Sequence, residues 1–179
     1  FLISNVIVEV WGEKESIKIV TFASIVTFII MLIGRLIVFI PTLDSYSEQA
    51  DAFARIFSNG PRTIISSVIA FWCGNFINVH IIAKWKAHIA KGKDNKFLFF
   101  MRAAFSTLIG QLADNAIFSI LAFAPIGISL YEMAWKDIYT AVLSGTVIEL
   151  AVESCFVPFI TIPLTRKIRA VKESEEKAL

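Results

Sequence analysis

The chain alternates long apolar runs with short charged stretches. Runs at 17–40, 62–83, 97–123 and 137–165 each reach or exceed the roughly 20 residues that a spanning helix needs. A fifth run, 1–12, is shorter and is already under way at the first residue, Phe1. A stretch ahead of Phe1 is expected to complete it, so that an N-terminal helix is missing or truncated in this sequence. No run alternates with a period of two, which argues against a barrel. Backbone groups in lipid need internal partners, so each run predicts a helix. The expected fold is an all-α polytopic bundle. One integral membrane domain covers 1–179, with five apolar segments.

Composition supports this pattern. Hydrophobic residues make up 56% of the chain, and the mean hydropathy is +0.71. Soluble domains lie nearer 45–50% apolar. Cys73 and Cys155 both sit inside apolar runs and read as isolated core thiols. No signal peptide or lipidation motif is visible.

The net charge of +2 says little, but the position of the cations says more. Lys84, Lys86, Lys91, Lys93 and Lys96 fill one loop, and Arg166, Lys167, Arg169, Lys172 and Lys177 fill the tail. Lys14 and Lys18 follow the first run. Alternating spans put these three regions on one side, which the positive-inside rule makes cytoplasmic. A multi-pass protein of the plasma (inner) membrane with a cytoplasmic C-terminus is expected. The opposite side holds the loops 41–61, with Arg55, and 124–136, with Lys136. In the first of these, Ala52, Phe53, Ile56 and Phe57 could form one face of a short interfacial helix.

The spans also carry polar residues at mid-depth, where an ionisable side chain costs roughly 2.5–3.5 kcal/mol and points to function. In "STLIGQLADNAIF", Thr107, Gln111, Asp114 and Phe118 follow at steps of four, three and four, on one helical face. At 1.5 Å per residue, Gln111 and Asp114 lie roughly 20–25 Å from the start of the span. "GNFIN", from Gly74, echoes "GQLAD", from Gly110, and there Phe71, Asn75 and Asn78 share a face. The echo suits an internal repeat, or two glycines at a close helix crossing. Glu149 and Glu153 sit one turn apart in the last run, and Asn5 and Glu9 one turn apart in the first. Arg102 and Arg35 are the cations available inside the spans to pair with such acids; each lies near an end of its span, where snorkelling to the surface is the alternative.

Motifs exclude several activities. There is no HExxH pair, no GxSxG turn and no Gly-Lys phosphate loop. His80 and His88, the only histidines, lie in or near the basic loop. No enzyme, cofactor or metal site is expected, and no nucleic acid is an expected partner. The lipid bilayer is the expected surrounding, and a homo-oligomer is compatible with the runs. Amides, carboxylates and rings on facing helices suit a planar, hydrogen-bonding small molecule, such as a nucleobase-like solute. A carboxylate accepts paired N–H donors, an amide both donates and accepts, and a ring stacks on a heterocycle. The candidate binding residues are therefore Asn5, Phe71, Asn75, Asn78, Thr107, Gln111, Asp114, Phe118, Glu149 and Glu153. Clamping between helices without a ligand is the alternative use of the same residues.

Four blocks carry a resemblance: "FLISNVIVEVWG", "SSVIAFWCGNFINVHIIAKWK", "MRAAFSTLIGQLADNAIFSILAF" and "VPFITIPLTRKIRAV". In these the chain resembles the queuosine precursor transporter family, also called the vitamin uptake transporter family. The resemblance implies six spans and uptake of 7-deazaguanine bases: 7-cyano-7-deazaguanine, 7-aminomethyl-7-deazaguanine or queuine. It also implies that Asp114 and Gln111 match the family's acid and the polar residue before it, and that Ser106 and Thr107 match its Ser-Thr pair. Asn5 and Asn78 stand where many members carry Asp, which puts a proton-carrying role for those positions in doubt. A secondary transporter is the first expectation. A substrate-binding subunit of an ATP-driven uptake system is the second.

Overall fold

A computed structural model describes residues 1–57, 60–90, 96–126 and 132–178. Helix α1 spans Leu2–Trp11, α2 Glu13–Ile37, α3 Ser47–Phe57, α4 Gly60–Trp85, α5 Lys96–Phe123, α6 Trp135–Phe156 and α7 Ile162–Ala178. A 3₁₀ turn, Asp44–Tyr46, precedes α3, and π-helical turns at Lys86–Ala90 and Val157–Thr161 follow α4 and α6. The described residues contain no strand. Helical stretches at Glu13–Ile37, Arg62–His88, Phe97–Phe123 and Trp135–Lys172 are long and apolar enough to cross a membrane. The protein is an all-α polytopic membrane bundle, as its hydropathy pattern predicts. Lys91, Lys93 and part of the 124–136 loop lie outside the described residues, as do the side chains of Arg55, Ile56, Phe57, Lys96 and Lys177.

The bundle is polar inside and apolar outside. On α2 the buried positions are Ser16, Val20, Ser24 and Gly34, while Phe22, Ile25, Ile30, Ile33 and Leu36 are exposed. Small residues let backbones approach, and lipid takes the large side chains. Ser66, Asn75 and Asn78 of α4 and Arg102, Ser106, Thr107 and Gln111 of α5 are all buried.

The closest crossing joins α4 and α5. A Cβ added to Gly74 would stand 2.7 Å from both the Gly110 carbonyl oxygen and Asp114 Cβ. A Cβ on Gly110 would stand 2.8 Å from the Gly74 carbonyl oxygen and 2.9 Å from Asn78 Cβ. Each glycine thus faces the other glycine and the residue four positions beyond it. The pentapeptides "GNFIN" and "GQLAD" are therefore the two halves of a locally two-fold antiparallel crossing. At the far end of this pair, Arg62 donates to the carbonyl oxygens of Leu121 and Ala124, closing the C-terminus of α5 with a cation.

The ten residues Leu2–Trp11 of helix α1 cover about 15 Å along the axis. It is held from both sides. Val8 packs with Val79 and Ile82 of α4, and Leu2 packs on Phe99, Ala103, Val157 and Ile162. The chain then reverses at Gly12, whose φ of 89° and ψ of 178° lie in a region essentially reserved for glycine.

The π turn between α6 and α7 sets the phase of the last span. Glu153 and Arg169 are 16 positions apart, which in an unbroken α-helix would place them roughly 160° apart around the axis. The turn absorbs about one extra residue and takes roughly 100° off that angle. Pro158, which cannot donate a backbone hydrogen bond, sits inside it.

Three substitutions test this framework by thermal unfolding in detergent. Gly110→Val should destabilise by about 1–3 kcal/mol through overpacking against the α4 backbone. Gly145→Ala should be tolerated, because its Cβ would meet Asn115 Oδ1 at an ordinary 3.4 Å. Gly12→Ala should cost about 1–3 kcal/mol through backbone strain.

Candidate substrate site

Four helices bring the predicted polar residues to one level. Helix α1 supplies Ser4 and Asn5, α4 supplies Phe71, Asn75 and Asn78, α5 supplies Thr107, Gln111 and Asp114, and α6 supplies Glu149 and Glu153. Asn78 Nδ2 donates to Asn5 Oδ1 at 2.7 Å, and Asn5 Nδ2 donates to Thr107 Oγ1 at 3.2 Å. Thr107 and Gln111 stand beside the Glu153 carboxylate. A continuous polar chain therefore runs from α4 through α1 and α5 to α6. Ser4 Oγ lies 3.2 Å from Asn75 Oδ1, and Asn75 Nδ2 donates to the Phe71 carbonyl at 3.0 Å.

Two cavities flank this chain. One, of about 350 Å³, lies between α5 and α6 and is lined by Gln111, Asp114, Glu149 and Glu153, with Ile148, Val152 and Phe1. The other, of about 450 Å³, is lined by Ser4, Phe71, Asn75 and Glu153, with apolar residues of α1 and α2 and again Phe1. Both volumes fall in the range of small-molecule sites. Glu153 belongs to both walls, so the two cavities meet at its carboxylate. A larger cavity, of about 570 Å³, between α2 and α4 is lined mainly by apolar residues such as Ile25, Phe28, Ile69 and Trp72. It offers little polar chemistry.

The structure sorts the ten candidates. Phe71, Asn75, Gln111, Asp114, Glu149 and Glu153 line the two cavities. Thr107 is buried behind Glu153. Asn5 and Asn78 are wholly buried and line neither cavity; they tie α1 to α4 and α5. Phe118 also lines neither; its ring meets Phe123 edge-on, with centroids 5.6 Å apart.

Within the smaller cavity, acceptors outnumber donors. Gln111 is 2% exposed, and its Oε1 is buried without a hydrogen-bond partner, as is Glu153 Oε2. Among the described residues, no Lys, Arg or His side chain forms an ion pair with Asp114, Glu149 or Glu153. An unpaired buried acceptor costs about 1–3 kcal/mol, which a ligand with N–H donors would recover. Asn115, absent from the sequence-based set, donates to Glu149 Oε2 at 2.9 Å and to Thr146 Oγ1 at 3.2 Å. It holds Glu149 at the cavity wall. Its signal was its place beside Asp114, in an otherwise apolar stretch.

Of the two sequence-based readings of Arg102, the structure has the paired one, not the snorkelling one. Arg102 is 1% exposed and paired with Glu9, which is itself 3% exposed. Glu9 lies on the face of α1 that packs inward, so the guanidinium finds its partner inside the bundle. Arg35, by contrast, sits over the ring of Phe39 at the far end of α2, 5.4 Å from the centroid.

No curated protein and no solved structure matches the chain significantly. A family model does, across residues 1–162, and its description is "Putative vitamin uptake transporter". The match covers α1, the first three apolar spans, α6 and the residues that line both polar cavities. The chain therefore belongs to the vitamin uptake transporter family, a family of membrane transporters and not of enzymes.

Proposed function

We propose that the protein imports a 7-deazaguanine base, a precursor of queuosine, as a secondary transporter. The observation that carries this reading is the α5–α6 cavity. There Gln111, whose buried Oε1 has no hydrogen-bond partner, shares the wall with three carboxylates that pair with no Lys, Arg or His side chain among the described residues. A guanine-like edge presents a ring N–H beside an exocyclic amine, and a carboxylate accepts that pair in parallel. Asp114 or Glu153 takes the pair, and Gln111 reads a further donor. The flat ring extends toward the adjoining cavity, where Phe71 offers a stacking face and Asn75 an amide.

The basic end of the bundle faces the cytoplasm of the cell, and the C-terminus lies there, by the distribution of Lys and Arg. The base enters from the other end, and the helices then rock to release it at the basic end. The 7-cyano, 7-aminomethyl and queuine forms share the recognised edge and differ elsewhere.

Uptake of labelled base into cells that cannot synthesise it tests the reading. Gln111→Ala or Asp114→Asn should weaken apparent affinity roughly 10–100-fold at equal membrane abundance, the loss of one charge-assisted or buried hydrogen bond. Wild-type uptake by Asp114→Asn would remove Asp114 from the site. Asn115→Ala should give a smaller loss, because it frees Glu149 without removing a binding group. Phe118→Leu should stay within about twofold, a difference of less than 0.5 kcal/mol. Purified protein in liposomes should move the base with no ATPase present. Binding without movement would instead indicate a substrate-binding subunit.

A further inference from the structure

One turn beyond Asn5 on α1, Glu9 gathers cations from three elements. Arg102 of α5 approaches Oε1 with Nε at 2.7 Å and Nη2 at 2.5 Å. Lys86, in the π turn after α4, and Arg169 of α7 each place a nitrogen 3.3 Å from Oε2. Both also donate to the main-chain oxygen of Glu9, at 2.7 and 3.2 Å. Lys172 reaches the carbonyl of Val10 at 3.5 Å. These cations also close the negative end of the α1 dipole.

Burying such a cluster gains little stability by itself, because desolvation offsets the attraction, so its best-attested use is to hold one of two arrangements. Its position says which arrangement it holds. The side chains of Lys86 and Arg169 are 39% and 41% exposed, whereas those of Glu9 and Arg102 are 2% and 1% exposed. The cluster thus runs from the basic surface of the bundle inward to the level just below the polar cavities. It ties together α1, α5, α7 and the end of α4. While it is intact, these elements cannot part at that end.

Helix α1 links the cluster to the cavity. Ser4 lines the larger polar cavity beside Asn75, and Glu9 lies five residues further along the same short helix. Its exit is Gly12, a reversal with φ of 89° and no neighbour within 4 Å of an added Cβ. Helix α1, with a glycine pivot at its C-terminal end, therefore touches the cavity with one turn and the ion cluster with the next. The last span does the same. Its phase, reset by the π turn, puts Glu153 in both cavities and Arg169 on Glu9.

We infer that the Glu9 cluster is the gate at the basic end of the transport path. Helix α1 turns about Gly12, the Glu9 carboxylate leaves Lys86, Arg169 and Arg102, and the cavity opens toward the basic side. Reforming the cluster closes it. The inference needs a transporter, but it does not depend on which molecule is carried.

Accessibility of a thiol in the cavity tests this. Ser4→Cys, in a Cys73→Ser, Cys155→Ser background, is reacted with a membrane-impermeant maleimide in vesicles of either orientation. With Glu9 intact, labelling from the basic side should be slow. Glu9→Gln should speed it at least tenfold, a shift of about 1.4 kcal/mol in the open population, and slow labelling from the opposite side. An unchanged rate from both sides would overturn the gate. Should Glu9→Gln fail to fold, Lys86→Gln with Arg169→Gln decides the matter. It removes only the half-exposed cations and leaves the buried Glu9–Arg102 pair, and should still speed labelling about threefold, a smaller shift of the same population. No increase there would overturn the gate equally. Protection of the thiol by a deazaguanine base reports on the substrate separately. Absence of protection alongside a faster Glu9→Gln would sink the base and leave the gate standing.

Discussion

The approach of Gly74 to Gly110 is the constraint from which the polar interior follows. With no Cβ on either helix, α4 and α5 bring their backbones to within one atom's contact. The residues four positions beyond each glycine, Asn78 and Asp114, are then carried to opposite flanks of the crossing. Asn78 meets Asn5 on one flank, which fixes α1. Asp114 stands on the other flank, with Gln111 beside it, facing α6. Larger residues at either glycine would separate the helices. The hydrogen bonds from Asn78 through Asn5 to Thr107 would then lose their geometry, although neither glycine lines a cavity.

From that crossing the charges separate by level. Among the described residues, carboxylates without Lys, Arg or His partners gather at the cavities, and cations in excess gather one helical turn lower around Glu9. Both groups are reached by the same two elements, the rod α1 and the last span. The sign of the field therefore reverses over a short distance along the path. In the proposed transport cycle, a solute with N–H donors settles where acceptors are exposed. It leaves past a cluster that must first give up its one carboxylate.

The spans were legible because apolar runs of membrane length have few other readings. The one-sided spacing of Thr107, Gln111 and Asp114 was legible too, since a period of 3.6 belongs to the helix alone. What the sequence could not provide was the neighbour of each face. Phe118 continues the same face on a helical wheel, yet it lies one further turn along and meets Phe123. Asn5 and Asn78 look like cavity residues by type, and each is instead the other's hydrogen-bond partner. Arg102 could pair inside the bundle or snorkel, and its distance from the helix end could not decide between them. Its partner is 93 positions away, on α1. The reset of phase at Val157–Thr161 had only Pro158 as a local sign.

This last point bears on how one carboxylate can serve two cavities. Glu153 lies beside Thr107 and Gln111 and still keeps Oε2 without a partner. Thr107 is already an acceptor for Asn5, so its hydroxyl hydrogen is free to point at Glu153. The amides thereby fix the direction of two hydrogen bonds, Asn78 to Asn5 and Asn5 to Thr107, and leave the Thr107 hydroxyl hydrogen for the carboxylate beside it. Reversing the Asn5 amide would leave a buried donor facing a donor at Asn78, at a cost of about 1–3 kcal/mol. Glu153 meanwhile keeps Oε2 without a partner, in the residue that lines both cavities. The clamp between helices and the proposed binding group are thus neighbours in one polar run, and the residues that hold α1 in place also pack beside Glu153.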